Sequence, residues 1–177
     1  MEGCSVAYGY AFEGGAIYGE RVAYNGLNNL FTYQQVSSFG MFHHLEDSVV
    51  RIHGSTFSES RSSTGGAVFI ASDVEITGAV FRKNSARTAG AVYAEGGRLV
   101  VRNSTFASMS VQNAGGVYVD AVDEVTIADC YFNDSKSEVN GGAVMAFHSN
   151  VTISDSYFSH HLMASSGTVY AYDIFCG

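Results

Sequence analysis

Five stretches of the chain place an apolar residue, a mostly polar one and an apolar one in succession: Val50-Arg51-Ile52, Val74-Glu75-Ile76, Leu99-Val100-Val101, Val125-Thr126-Ile127 and Val151-Thr152-Ile153. Alternation with a period of two marks a β-strand with one buried face. The β-branched content points the same way. Five residues further on stands a phenylalanine in every case: Phe57, Phe81, Phe106, Phe132 and Phe158, with Phe31 ahead of them. Three residues before each phenylalanine the alternation breaks, at Asn28, Gly54, Gly78, Asn103, Asp129 and Asp155. Gly, Asn and Asp tolerate positive φ, so this column predicts a one-residue bend between two strands. The small residues Asn29, Ser55, Ala79, Ser104, Cys130 and Ser156 come next. Both this column and the phenylalanines are expected to point inward.

A third strand follows a glycine. Gly15, Gly40, Gly66, Gly90, Gly116, Gly142 and Gly167 fall at steps of 25, 26, 24, 26, 26 and 25 residues. Two residues later the apolar column Ile17, Phe42, Val68, Val92, Tyr118, Val144 and Val169 is expected to face the core. The next column, Tyr18, His43, Phe69, Tyr93, Val119, Met145 and Tyr170, is expected to face out. A tight corner, where a Cβ would clash or φ is positive, accounts for the glycine. Two independent markers keeping one period identify a solenoid. No stretch sustains a helical period. The expectation is an all-β, right-handed parallel β-helix of about seven coils of 24–26 residues, with three short strands per coil. Its handedness follows the general rule for parallel crossovers. At one strand spacing per coil the rod is roughly 34 Å long. Residues 1–177 read as a single β-solenoid. The chain ends on AYDIFCG, apolar and mid-coil, and its start lacks a capping helix. Solenoids need polar caps, so a segment of a longer repeat protein, or end-to-end contacts with further coils or chains, is expected.

Composition narrows the partners. At 46% hydrophobic and 13% aromatic residues the chain is too apolar for disorder. With nine Lys and Arg against 17 Asp and Glu, the net charge is −8. That balance, with no basic stripe in the sequence, argues against nucleic acid. There is no 18-residue apolar run, so no transmembrane helix is expected. The opening MEGCSVAYGYAFEGG lacks the basic-then-apolar form of a secretory signal.

The runs GGAI at Gly14–Ile17 and GGAV at Gly65–Val68 and Gly141–Val144, together with Phe81-x-x-Asn84, resemble the GGA[ILV] and FxxN repeats of polymorphic outer membrane proteins. Strict FxxN occurs once; elsewhere the fourth place holds Gln34, Ser60, Met109, Ser135 or His161. The resemblance implies a right-handed parallel β-helix of the pectin-lyase-like class, used as an adhesin-like stalk in an extracellular or cell-surface setting. The functional expectation is therefore a non-enzymatic structural or adhesive domain that binds a protein or glycan and needs no cofactor. The alternative is a carbohydrate-active β-helix enzyme, a polysaccharide lyase or hydrolase, or its non-catalytic remnant. Such enzymes wall their clefts with long loops, and coils of near-equal length leave none.

Several residue groups are candidates for chemistry. Tyr18, Phe69, Tyr93 and Tyr170 would form an outward aromatic stripe suited to saccharide rings or a protein partner. Asp129 and Asp155 share a column, so two carboxylates one coil apart could share a proton or hold Ca²⁺; as bend residues they also simply suit positive φ. Glu46, Asp47, Asp73, Glu95, Asp120, Asp123 and Glu124 would line one corner as a solvated ridge, or one that meets cations or a basic partner. The doublets His43–His44 and His160–His161, with His53 and His148, lack zinc spacing and read as surface or turn residues. Cys130 is expected to be a buried thiol, and Cys4 and Cys176 are too far apart along the rod to bridge. Asn103, Asn133 and Asn150 head glycosylation sequons.

Overall fold

The computed structural model describes residues 1–12, 16–19, 23–37, 42–44, 49–165 and 167–172; for 18–19 and 42–44 it describes the backbone. Gly15 and Gly40 lie outside the described residues. Every strand runs parallel to its equivalents in the coils before and after, building three seven-stranded sheets and one six-stranded sheet. One full coil illustrates the path. Asp73–Thr77 lies in the first sheet, Val80–Arg82 in the second, Ser85–Thr88 in the third and Val92–Glu95 in the fourth. No helix occurs among the described residues.

The three expected strands are thus joined by a fourth, formed by Arg61–Thr64, Ser85–Thr88, Ser110–Asn113 and their equivalents. Its inward column, Val36, Ser62, Ala86, Val111, Ser137 and Met163, mixes apolar, small and polar residues and so shows no repeated period of two. The sequence correspondingly reads as loop there. Parallel pairing with neighbouring coils holds this strand extended, and Val36, Val111 and Ser137 are buried beneath it.

Like residues stand over one another. Val50, Val74, Leu99, Val125 and Val151 form one inward ladder, and Ile52, Ile76, Val101, Ile127 and Ile153 another. Phe31, Phe57, Phe81, Phe106, Phe132 and Phe158 form the ladder of the second sheet. Their ring centroids are 4.5–5.1 Å apart and their planes lie within 16° of each other. The first five of these rings are fully buried. Each stacked pair contributes about 0.5–1.5 kcal/mol beyond its area burial.

The bends behave as their residue types require. Asn28, Gly54, Gly78, Asn103, Asp129 and Asp155 all have positive φ, from 46° to 63°. At such a bend the next N–H loses its place in the strand ladder and must find another acceptor. The small inward column supplies it. Ser104 Oγ accepts from Ala79 N at 3.1 Å and donates to Arg102 O at 2.8 Å. Ser55 and Ser156 repeat the arrangement toward Asn29 N and Cys130 N.

A second bend, with positive φ at Tyr33, Glu59, Lys83, Ser108, Asp134 and His160, precedes the column Gln34, Ser60, Asn84, Met109, Ser135 and His161. Asn84, fully buried, accepts from Ser60 N at 3.1 Å through Oδ1 and donates from Nδ2 to Phe57 O at 3.2 Å. The asparagine of the single strict FxxN run therefore closes the bend of the preceding coil. Asn84→Ala leaves the buried Ser60 N without this acceptor and removes one donor from Phe57 O. It is expected to cost about 1–3 kcal/mol, read as a lowered urea midpoint at unchanged slope.

The glycine corner needs one correction. Val68, Val92, Val117 and Val144 are in register, so the corner glycines are Gly66, Gly90, Gly115 and Gly142, not Gly116. Val117 takes the inward place expected of Tyr118, and Val119, expected outside, is fully buried. Tyr118 joins the outward column instead. The triplet Ala114-Gly115-Gly116 hides the choice of anchor. The following coil is one residue longer, and its extra residue is absorbed where the pairing of Val111 and Asn113 with Ser137 and Asn140 shifts register.

Candidate functional site

The outer surface of the fourth sheet carries the column Phe69, Tyr93, Tyr118, Met145 and Tyr170, one residue per coil. Tyr18 holds the same place at its backbone; its side chain lies outside the described residues. The preceding corner curls against this column. A Cβ on Gly65 would lie 3.2 Å from Tyr93 Cβ, and one on Gly141 3.1 Å from Met145 Cβ. Phe69 and Met145 are buried, at 6% and 5% exposure, while Tyr93, Tyr118 and Tyr170 are half-buried. The aromatic side chains stack on each other along the rod: Phe69 on Tyr93 at 5.0 Å and Tyr93 on Tyr118 at 4.9 Å, with planes within 13°. Phe147, two residues beyond Met145, continues the run to Tyr118 at 5.7 Å and to Tyr170 at 5.9 Å.

This geometry changes what the stripe offers. A ring that stacks on its neighbours has its faces covered, so no flat platform is open to a saccharide ring. What remains outward is ring edge and phenolic hydroxyl. Burial, reinforced by the carboxylates of Glu95 and Asp120, raises the pKa of Tyr93 and Tyr118. Both phenols stay protonated donors across the physiological range.

The remaining candidates are dispersed. Asp129 and Asp155 sit one coil apart at exposed bends with φ of 55° and 47°. No group of three or more His, Cys, Asp or Glu side chains arranged to hold a metal occurs among the described residues. Of the acidic corner, Glu46 and Asp47 lie outside the described residues. Asp73 accepts from Arg98 N at 3.0 Å, and Glu124 pairs with the Arg98 guanidinium at 3.0 Å. Arg51 and Glu75 pair at 3.7 Å on the same exposed face, so part of the ridge carries its own counter-charge. His148 Nδ1 lies 3.1 Å from Asp120 Oδ1. His43 and His44 are described at the backbone only.

His161 differs from the turn residue expected of it. It occupies the inward column behind Ser135, half-buried, and burial lowers its pKa. Cys130 is buried, 3.1 Å from Ala128 O, and burial raises its thiol pKa. Cys176 lies outside the described residues. Asn103 and Asn150 are exposed, and Asn133 donates to Asp134 at 3.0 Å. No helix among the described residues is long and apolar enough to cross a membrane.

Coils that share one interior, with chemistry confined to the outer faces of their sheets, define a parallel β-solenoid of the structural or binding kind. A family model described as a right-handed β-helix region matches residues 65–173. The chain belongs to the right-handed β-helix family. No curated protein and no solved structure matches it.

Proposed function

We propose that this β-helix is a structural or adhesive repeat domain, displayed on the cell surface or outside the cell, that holds a protein or glycan against an outer sheet. The observation that carries this reading is the evenness of the coils. From Phe31 to Phe158 successive phenylalanines are 26, 24, 25, 26 and 26 residues apart, so no coil in this span has the extra length of a long insertion that would wall a cleft. Function then falls to the exposed sheet faces. The GGA[ILV] runs and Phe81-x-x-Asn84 support the surface setting, because they resemble the repeats of polymorphic outer membrane proteins.

The contact face is the fourth sheet. Tyr93 and Tyr118 present hydroxyls one coil apart and Tyr170 two coils further on, and the carboxylates of Glu95 and Asp120 stand beside the first two. Such a row suits the hydroxyls of a glycan or the backbone of an extended peptide, with Phe69 and Met145 as buried supports. Replacing Tyr93 and Tyr170 together with serine is expected to weaken binding to glycan arrays or whole cells by about tenfold or more. Binding unchanged by the double substitution would remove this face from the reading.

A further inference from the structure

Folding gathers cations that the sequence scatters. Arg61, Arg82, Lys83 and Arg87, four of the nine basic residues, come from two successive coils and lie on the second and third sheets and the bend between them. None of them makes an ion pair among the described residues, whereas Arg51 and Arg98 on the first sheet each hold a carboxylate. Two of the four border a groove of about 590 Å³, lined by Tyr33, Glu59, Arg61, Lys83, Asn84, Ser85, Ser108 and Ser110. The groove crosses four coils, roughly 14 Å at one strand spacing per step. Among the lining residues Glu59, beside the Tyr33 hydroxyl, is the one carboxylate, against the two cations Arg61 and Lys83.

From this geometry we propose that the groove binds the sulfate groups of a sulfated glycan. Charge complementarity selects an anion: two unpaired cations line the groove of a chain whose net charge is −8. The donor set favours sulfate over carboxylate. A sulfate ester has three terminal oxygens to share among a guanidinium, an ammonium and the hydroxyls of Ser85, Ser108 and Ser110, and a carboxylate has two. The groove runs along the rod, which suits a chain carrying several such groups. It lies on different sheets from the tyrosine column, so the two surfaces act independently.

The test uses the 177-residue protein with sulfated dextran oligosaccharide as probe. Uncharged dextran, a polyuronate of equal length and a single-stranded oligonucleotide of equal charge form the other arms. The wild-type chain is expected to bind the sulfated probe, and to release it as salt approaches about 1 M. Arg61→Ala with Lys83→Ala is expected to weaken binding about tenfold and to reduce the salt slope by about two. Both side chains are exposed, so the thermal transition should not move. Glu59→Gln is expected to tighten binding a few-fold. Tyr93→Ser with Tyr170→Ser is expected to leave it unchanged. The assignment is overturned if the wild-type chain does not bind the sulfated probe, or if the Arg61 and Lys83 variant binds as well as wild type. It is equally overturned if dextran, polyuronate or oligonucleotide binds as tightly as the sulfated chain.

Discussion

Phe106→Ala is expected to lower stability by about 3–5 kcal/mol, a large share of the margin by which an ordinary domain stays folded. The ring is fully buried. Both its faces are occupied, by Phe81 at 5.0 Å and Phe132 at 4.5 Å, so truncation opens a cavity and removes two stacked pairs at once. The backbone around it is pinned by pairing to the coils on either side and cannot close the gap. Tyr157→Ala provides the contrast. That ring also stacks, on Tyr131 at 4.9 Å, but on the outside of the same sheet and at 55% exposure; about 1 kcal/mol is expected. Urea unfolding followed by far-ultraviolet circular dichroism separates the two. A loss at Phe106 no larger than that at Tyr157 would contradict a shared interior.

The second large effect is expected at a corner. A Cβ added at Gly90 would meet the carbonyl oxygen of Gly115 and lie 2.8 Å from Met109 Cβ. The coils cannot separate to make room, because Gly90 N donates to Ala114 O at 3.0 Å and Ala91 N to Gly116 O at 3.1 Å. Gly90→Ala is therefore expected to cost about 3 kcal/mol. Gly96→Ala tests whether crowding is the cause. Gly96 has φ of +66° and open space around its would-be Cβ, so only the left-handed backbone penalty of about 1 kcal/mol applies. Equal losses at the two sites, measured as urea midpoints, would mean that the corner glycines are retained for backbone freedom and not for closeness of approach.

These two positions also show why part of the architecture was legible in the sequence. Phe106 and Gly90 repeat because each coil must fit the next at every point of contact. A residue type fixed by contact with its own counterpart shows up as a column. The bend residues Asn103, Asp129 and Asp155 were readable for a local reason, since few residue types accept their φ. The fourth strand was not readable: its inward column alternates valine, serine, alanine and methionine from coil to coil, and a column without one residue type carries no period. The Gly115 corner was misplaced because three small residues in a row offer two equivalent anchors. Only the pairing of Val117 with Val92 decides between them.

The surfaces were less legible still. Parity fixed the outward column of Phe69, Tyr93 and Tyr170, and missed Tyr118 through the misplaced anchor. Nothing in the sequence indicated that the rings would cover one another's faces. Nor could the grouping of Arg61 with Lys83 be seen, because the two stand 22 residues apart in the chain and on adjacent coils only once it is wound.

The interior column Gln34, Ser60, Asn84, Met109, Ser135 and His161 breaks the uniformity of the rest. Ladders of phenylalanine and valine would accept a stack displaced by one whole turn, since each ring would meet another ring. This column would not. Displacement by one turn would bring the thioether of Met109 where Asn84 Oδ1 now accepts from Ser60 N, leaving that buried N–H without its acceptor. The irregular spine thus works as an indexing key: it tells otherwise interchangeable turns which neighbour is theirs, and guards the growing stack against slippage as it assembles.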